Sequence, residues 1–214
     1  MHILMISDVY FPRINGVSTS IQTFRETLGA EGIQVTLVAP EYPGATEVDS
    51  DDVISIPSRR VPFDPEDRLM RRGDLARLPQ RLQGRHFDLV HVQTPFIAHY
   101  TGLKLARARG IPCIATYHTH FEEYFHHYLP ILPPPLARWL TRRLARSQCN
   151  ALHAVVVPSH AMHNALQVYG VTTPLHVLPT GIPLEKFARG NRRGFRQRHG
   201  IARRHQQAVG DDAN

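Results

Sequence analysis

MHILMISDVYFPRINGVSTSI, residues 1–21, carries the order of elements that decides the fold. Apolar residues 3–6 make a strand, and the chain then crosses a loop ending Asn15-Gly16-Val17. Beyond it an amphipathic helix is marked by Val17, Ile21, Phe24 and Leu28, whose steps of four, three and four keep one face apolar. Strand, glycine-bearing turn and helix start is how open α/β proteins aim backbone N–H groups at an anion, because the first helical turn has unpaired donors and a partial positive charge. Phosphate or sugar-phosphate chemistry is the reading this loop suggests. The turn has a plain geometric reading beside it, since glycine accepts positive φ without steric cost. A single glycine also lacks the three-glycine dinucleotide fingerprint, which disfavours a nicotinamide or flavin site.

Outward from this unit, strand and helix signals alternate, the pattern of a parallel sheet covered by helices on both faces. Strands are expected at residues 34–39, stopped by Pro40, at 53–56, stopped by Pro57, and at 88–92, followed by a Thr94-Pro95 turn. A helix over 97–109 ends at Gly110 with Pro112 just beyond, the usual stop signals. Further strands are expected at 113–117, 154–157 and 175–178, with Ser159 as N-cap of a helix that buries Met162, Leu166 and Tyr169. Residues 58–85, rich in Arg and Pro, carry weak helical signals around Arg68–Arg72 and Leu75–Leu82 and read as a solvated connection. Residues 136–147 read as an amphipathic helix, with Leu136, Leu140 and Leu144 along one side and Arg138, Arg142 and Arg146 along the other. The sum is one doubly wound α/β domain over residues 1–183, followed by an Arg-rich, apolar-poor stretch at 184–214 expected to be a linker remnant and disordered tail.

Composition bounds the class without naming a function. The 214 residues are 42% apolar, ordinary for a globular core. The net charge of +7 comes almost wholly from arginine, with Lys only at 104 and 186, and so permits phosphate, nucleic acid or anionic lipid as partner. A nucleic-acid reading has only this charge behind it, with no recognised motif or aromatic interleaving. Cys113 and Cys149 have no paired spacing, and the N-terminus lacks a signal-peptide pattern, so a cytoplasmic, reduced chain is expected. No apolar run approaches the roughly twenty residues that span a bilayer. Membrane contact, at the inner face, would be peripheral.

The pieces FPRINGVSTSI, DLVHVQTP, ATYHTHFEEYFHHY, VVVPSHAM and LPTGIP, in that order over about residues 1–190, resemble the N-terminal half of the family 4 retaining glycosyltransferases of GT-B fold. Within that family the chain is most similar to bacterial members that move a hexose from a nucleotide-sugar to a lipid or small sugar acceptor. The resemblance implies two Rossmann-like domains facing across a cleft, the first binding the acceptor and the second gripping the nucleotide-sugar co-substrate. It implies that Gly16, with Asn15 and the helix starting at Val17, approaches the donor pyrophosphate from across the cleft. It also places His118, at the end of a central strand, beside the transferred sugar as the catalytic candidate. A neutral imidazole there can hydrogen-bond a sugar hydroxyl.

Other positions carry two readings each. Asp8 and Thr94, at strand carboxyl ends, are either acceptor contacts or turn-forming residues. Arg138, Arg142 and Arg146 are either a solvated face or a contact with anionic lipid. His118, His120, Glu122, Glu123, His126 and His127 are competent metal ligands, but their spacing matches no compact zinc signature, so no metal is expected. The cationic and acidic residues with which the family holds the donor's phosphates and ribose fall in a second domain beyond Asn214, and a further Rossmann-like unit needs roughly a hundred residues or more. Either a gene remnant or a donor domain on a separate chain is compatible with this. In both cases the chain alone is expected to show little or no transfer. A non-catalytic module binding sugar or anionic lipid is the alternative.

Overall fold

The computed structural model describes residues 1–43, 52–61, 64–118, 133–181 and 191–200. Two compact units divide the chain, Met1–Gly181 and Ile182–Asn214.

The first unit is built on a seven-stranded sheet: β1 (His2–Ile6), β2 (Gln34–Pro40), β3 (Val53–Ile56), β6 (Leu89–Val92), β7 (Cys113–Thr116), β8 (Ala154–Val157) and β9 (Leu175–Val177). Its spatial order is β3-β2-β1-β6-β7-β8-β9, and every pairing is parallel. Because side chains alternate along a strand, each strand feeds two cores. Ile3 and Met5 of β1 join Val35, Leu37 and Ala39 of β2 under helix α1 (Gly16–Ala30). Leu4 and Ile6 point the other way, to Val38, Val90 and Val92 and to helix α4 (Ile97–Arg109). Strands buried on both faces are what a parallel sheet requires, and they explain the near-continuous apolar runs in the sequence.

The stop signals act as expected. Gly110 sits in the left-handed region at φ 66° and closes α4. Ser159 accepts from the Met162 N–H at 3.2 Å and starts α6 (His160–Val168). Within α4, Gly102 permits close packing: a Cβ there would lie 2.6 Å from Val92 Cγ2.

Three expectations are corrected. Residues 58–85 are no solvated connection. They form an antiparallel hairpin of β4 (Ser58–Val61) and β5 (Asp64–Met70), then α2 (Arg72–Ala76) and α3 (Leu78–Arg81). Met70, Leu75, Leu78 and Leu82 are buried in the main core, so these few apolar residues anchor a segment in which Arg59, Arg60, Arg71, Arg72, Arg77 and Arg81 are exposed while Arg68 and Arg85 are half-buried. On α5 (Pro134–Asn150) the buried side is Ala137, Thr141, Ala145, Gln148 and Cys149. Leu136 and Leu144 are 46% and 44% exposed, because the helix approaches its neighbours through small residues and leaves the larger ones outside. In the second unit, within the stretch expected to lack structure, α7 (Arg192–Arg198) is helical, with the Asn191 side chain accepting from the Gly194 N–H at 2.8 Å.

Candidate functional site

Strand order reverses between β1 and β6, since β1 leads outward to β2 while β6 begins the opposite half of the sheet. Ligands of open α/β sheets bind at the carboxyl ends beside such a switch point. A cavity of about 190 Å³ lies there, lined among others by Asn15 and Val17 at the start of α1, Gln93 and Thr94 after β6, His118 after β7, and Gln148 of α5. Candidates taken from distant parts of the sequence therefore share one cavity.

The start of α1 is open. Asn15, extended at φ −150° and ψ 176°, caps the helix by accepting from the Ser18 N–H at 2.8 Å. The N–H groups of Gly16 and Val17 have no intrahelical partner by position. Gly16 lies outside the left-handed region, so turn geometry does not demand glycine there. A Cβ on Gly16 would meet nothing within 4 Å, so internal packing does not demand it either.

Asp8 and Thr94 are tied to each other and to α4. The Asp8 N–H donates to Thr94 Oγ1 at 2.7 Å, and that hydroxyl donates to Asp8 Oδ2 at 2.7 Å. The Ala98 N–H donates to both carboxylate oxygens, at 3.1 and 3.2 Å. Helix α4 has no side-chain cap from its own N-cap residue, Phe96, so the carboxylate of Asp8, just beyond β1, supplies one. Burial raises the Asp8 pKa to about 6, and hydrogen bonds from Thr94 and the backbone of α4 limit the rise.

His118 follows β7, whose ladder runs one residue further through Tyr117 N–H to Val156 O at 2.8 Å. Its Nε2 lies 2.9 Å from Gln93 Oε1. Burial lowers its pKa to about 4, so the ring is neutral at neutral pH. A neutral ring bonded to an amide oxygen through Nε2 carries its proton there and leaves Nδ1 as an acceptor. Behind it His91, fully buried, meets Thr116 Oγ1 through Nε2 at 2.7 Å and is held near pKa 3 by burial and by His118. His99 of α4 also lines the cavity, its pKa lowered to about 4 by burial and by Arg107.

Arg138, Arg142 and Arg146 stay exposed on α5, outside the cavity. The Arg142 guanidinium lies 5.3 Å from the Tyr169 ring centre, and Arg146 passes over Gly170. Trp139 is 54% exposed, with Arg143 5.5 Å from its ring, so arginines and large apolar side chains are mixed on this helix. Of the six candidate metal ligands only His118 lies within the described residues, and among these no group of three or more His, Cys, Asp or Glu is placed to hold a metal. Both cysteines are buried and unpaired, burial pushing each thiol to about 12.

The sequence reading missed Gln93, His99 and Gln148 as cavity residues and the ion pair of Arg13 with Asp67 at its edge. Gln93 had one legible signal, its place immediately after a buried strand, beside Thr94.

Comparison with known proteins fits this architecture. Two solved structures share the fold: a glycosyltransferase from Rickettsia africae, at TM-score 0.54 and 14% identity, covering 94% of this chain and 50% of that one, and a sucrose-phosphate synthase from Thermosynechococcus elongatus, at TM-score 0.53 and 17% identity, covering 94% of this chain and all of that one. An alpha-monoglucosyldiacylglycerol synthase of Streptococcus pneumoniae is 31% identical over 192 residues, 88% of this chain and 42% of the relative. A GDP-mannose-dependent alpha-mannosyltransferase of Mycobacterium tuberculosis is 27% identical over 194 residues, 88% of this chain and 49% of the relative. The chain thus spans about half the length of these curated relatives. The family pattern itself matches residues 14–186, from the open start of α1 to beyond β9, and by that match the chain belongs to Glycosyltransferase Family 4.

Proposed function

We propose that this chain is the acceptor-side domain of a hexosyltransferase that moves a sugar from a nucleotide-sugar donor to a lipid or sugar acceptor with retention. The observation that carries the reading is the single cavity joining the uncluttered start of α1 to a neutral His118. An anion in front of Gly16 and Val17 meets free N–H donors and the positive end of the helix, the environment a leaving diphosphate needs. A neutral imidazole offers a hydrogen bond to a sugar hydroxyl without placing a cation beside the electron-poor anomeric centre that forms as the donor bond breaks. The principal donor grip comes from a second domain, whether on the same or another chain. A lipid or nucleotide-sugar substrate class is also supported by the names of the relatives.

A second observation favours a lipid surface at the acceptor side. Helix α5 exposes Leu136, Trp139 and Leu144 beside Arg138 and Arg143, a mixture that suits an anionic bilayer interface. No helix among the described residues is long and apolar enough to cross a membrane, so the contact would be peripheral. A non-catalytic module binding sugar or anionic lipid would present the same surface, and transfer separates the two.

The test is a transfer assay with UDP-glucose or GDP-mannose and diacylglycerol in vesicles containing phosphatidylglycerol. The chain alone is expected to show little or no transfer, and a chimera joining residues 1–181 to the C-terminal half of the Streptococcus pneumoniae relative is expected to transfer glucose, with loss of activity on His118→Ala. Robust transfer by the chain alone would overturn the half-site reading. A folded chimera that binds vesicles and both substrates but never transfers would favour the binding module. Sedimentation with phosphatidylglycerol vesicles, weakened when Trp139 and Arg143 are replaced by Ser, tests the lipid contact separately.

A further inference from the structure

Gln93 lines the cavity, and among the described residues only one of its two side-chain polar atoms is engaged. Its backbone continues the ladder of β6, the N–H donating to Ile6 O at 2.9 Å, so its position is fixed by the sheet. The side chain is 1% exposed. Its Oε1 meets His118 Nε2, while its Nε2 is buried with no hydrogen-bond partner among the described residues. An unpaired buried amide costs about 1–3 kcal/mol, and a buried polar group left this way calls for an explanation. Structural need does not supply one: an apolar side chain of similar size, such as methionine, would fill the same space without the unpaired donor. Gln93 is one of the residues lining the cavity that holds Asn15, Val17 and His118.

The pair it forms has directional consequences. With Gln93 Oε1 as the acceptor, His118 must donate through Nε2, which leaves Nδ1 a lone-pair acceptor. Gln93 then offers a donor, its amide N–H, and His118 offers an acceptor, Nδ1. A hydroxyl group is both donor and acceptor, so adjacent hydroxyls of a sugar match this pair, whereas a phosphate, which only accepts, or an alkyl chain does not. A site built to pair a hydroxyl rejects analogues lacking it far more strongly than a site built on packing, because the protein's own polar groups are then left unpaired.

We infer that Gln93 is a positioning and specificity residue of the cleft: its amide oxygen holds His118 as the Nε2–H tautomer, and its amide N–H donates to a hydroxyl of the bound hexose whose neighbour donates to His118 Nδ1. This rests on the transferase reading above, since it assumes that a sugar occupies the cavity. The two roles are separable by substitution. Gln93→Met removes both, and Gln93→Glu keeps an acceptor for His118 Nε2 while removing the donor to the sugar.

The experiment is nitrogen NMR on the 214-residue chain with labelled histidine and glutamine, the signals assigned by the Gln93→Glu and His118→Gln variants. In the free chain at pH 7.5 the His118 ring is expected in the Nε2–H tautomer, and Gln93→Met is expected to mix the tautomers while Gln93→Glu preserves Nε2 protonation. On titration of the chimera described above, which supplies a donor-binding half, with UDP-glucose and with GDP-mannose, the Gln93 side-chain NH2 and His118 Nδ1 signals are expected to move together. The apparent Kd for the better of the two is expected to weaken 5-fold or more in both variants. An Nδ1–H tautomer in the wild-type chain would overturn the proposal without any ligand and without reference to a fold defect in a variant. Shifts at Asn15, Gly16 and Val17 with an unmoved Gln93 NH2 and unchanged Kd in Gln93→Met would overturn it while leaving the transferase reading intact. Saturable binding of neither nucleotide-sugar to the folded chimera, with the wild-type tautomer as expected, would overturn the sugar-reading half through the failure of the site assignment itself.

Discussion

Two polar side chains stand at neighbouring strand ends on either side of the switch point, and the fold treats them in opposite ways. Asp8, after β1, has its carboxylate answered by Thr94 and by the Ala98 N–H, and so belongs to the scaffold that starts α4. Gln93, after β6, has one amide atom engaged and the other buried without a partner among the described residues. Sequence position alone makes them look equivalent, since both follow a buried strand of a parallel sheet. Hydrogen-bond completeness separates them. A satisfied group holds the site in shape, and an unsatisfied one awaits something the folded chain does not supply.

Acidification probes both sides of this contrast at once and has the largest expected effect. The pKa values of His91, His99 and His118 are lowered to about 3, 4 and 4, so between pH 6.5 and 4 the unfolded chain binds protons that the folded chain refuses. Stability is therefore fully present above about pH 6.5 and is lost as pH falls through that window. Asp8 acts in the other sense: with its pKa raised to about 6, the folded chain binds a proton that the unfolded chain does not until about pH 3.8, which returns some stability over the lower part of the range. Three histidines outweigh one carboxyl, and the net loss from pH 7 to pH 4 is on the order of 5 kcal/mol, comparable to the whole stability of many domains. Urea denaturation followed by circular dichroism at stepped pH checks it; a flat profile between pH 7 and 4.5 would show that these rings are not sequestered as described.

Substituting Asp8 by Ala tests the scaffold side directly. It leaves the first turn of α4 uncapped in a part-buried setting and frees the Thr94 hydroxyl, so a loss of about 2–3 kcal/mol is expected at pH 7.5, larger below pH 5 because the wild-type chain gains stability there as the buried carboxyl takes up its proton and the variant cannot. If the loss is instead below about 0.5 kcal/mol, Asp8 is not the cap that the hydrogen bonds imply and the contrast with Gln93 collapses. The smallest effect belongs to Asn15→Ala, about 1 kcal/mol for removal of the α1 cap, with the fold retained. Its use is to sharpen the comparison: Asn15 is a satisfied residue on the wall of the cavity, so its replacement should lower the denaturation midpoint while leaving the His118 tautomer unchanged.

The sheet was legible because its strands are short apolar runs closed by Pro, Gly or Thr-Pro, and two-sided burial forces that composition on a parallel sheet. Asn15, Val17, Thr94 and His118 could be placed on one side of the sheet for the same reason, as residues after strand ends or at a helix start. Residues 58–85 were not legible, because Met70, Leu75, Leu78 and Leu82 are spread among exposed arginines and prolines and no single window is dominated by them. Helix α5 misled differently. Its leucines advertise an apolar side, yet close packing selected Ala137, Thr141 and Ala145, so hydrophobicity and burial part company there. Gln93 could not be recognised from its own neighbourhood, since its meaning depends on His118, 25 positions later and on another strand.

The loop from Ser7 to Asn15 is fastened along its whole length. The Ser7 hydroxyl donates to Val9 O at 2.6 Å, the Arg13 N–H to Tyr10 O at 3.2 Å, and the Tyr10 hydroxyl to Gln22 Oε1 at 2.5 Å, while Arg13 pairs with Asp67 of the hairpin and Asn15 locks onto α1. A wall anchored in this way keeps its shape before any substrate arrives, so the entropy of ordering the loop is spent during folding and not deducted from affinity. Encounter of a ligand with the cavity then becomes a docking event rather than a folding event on this wall of the site.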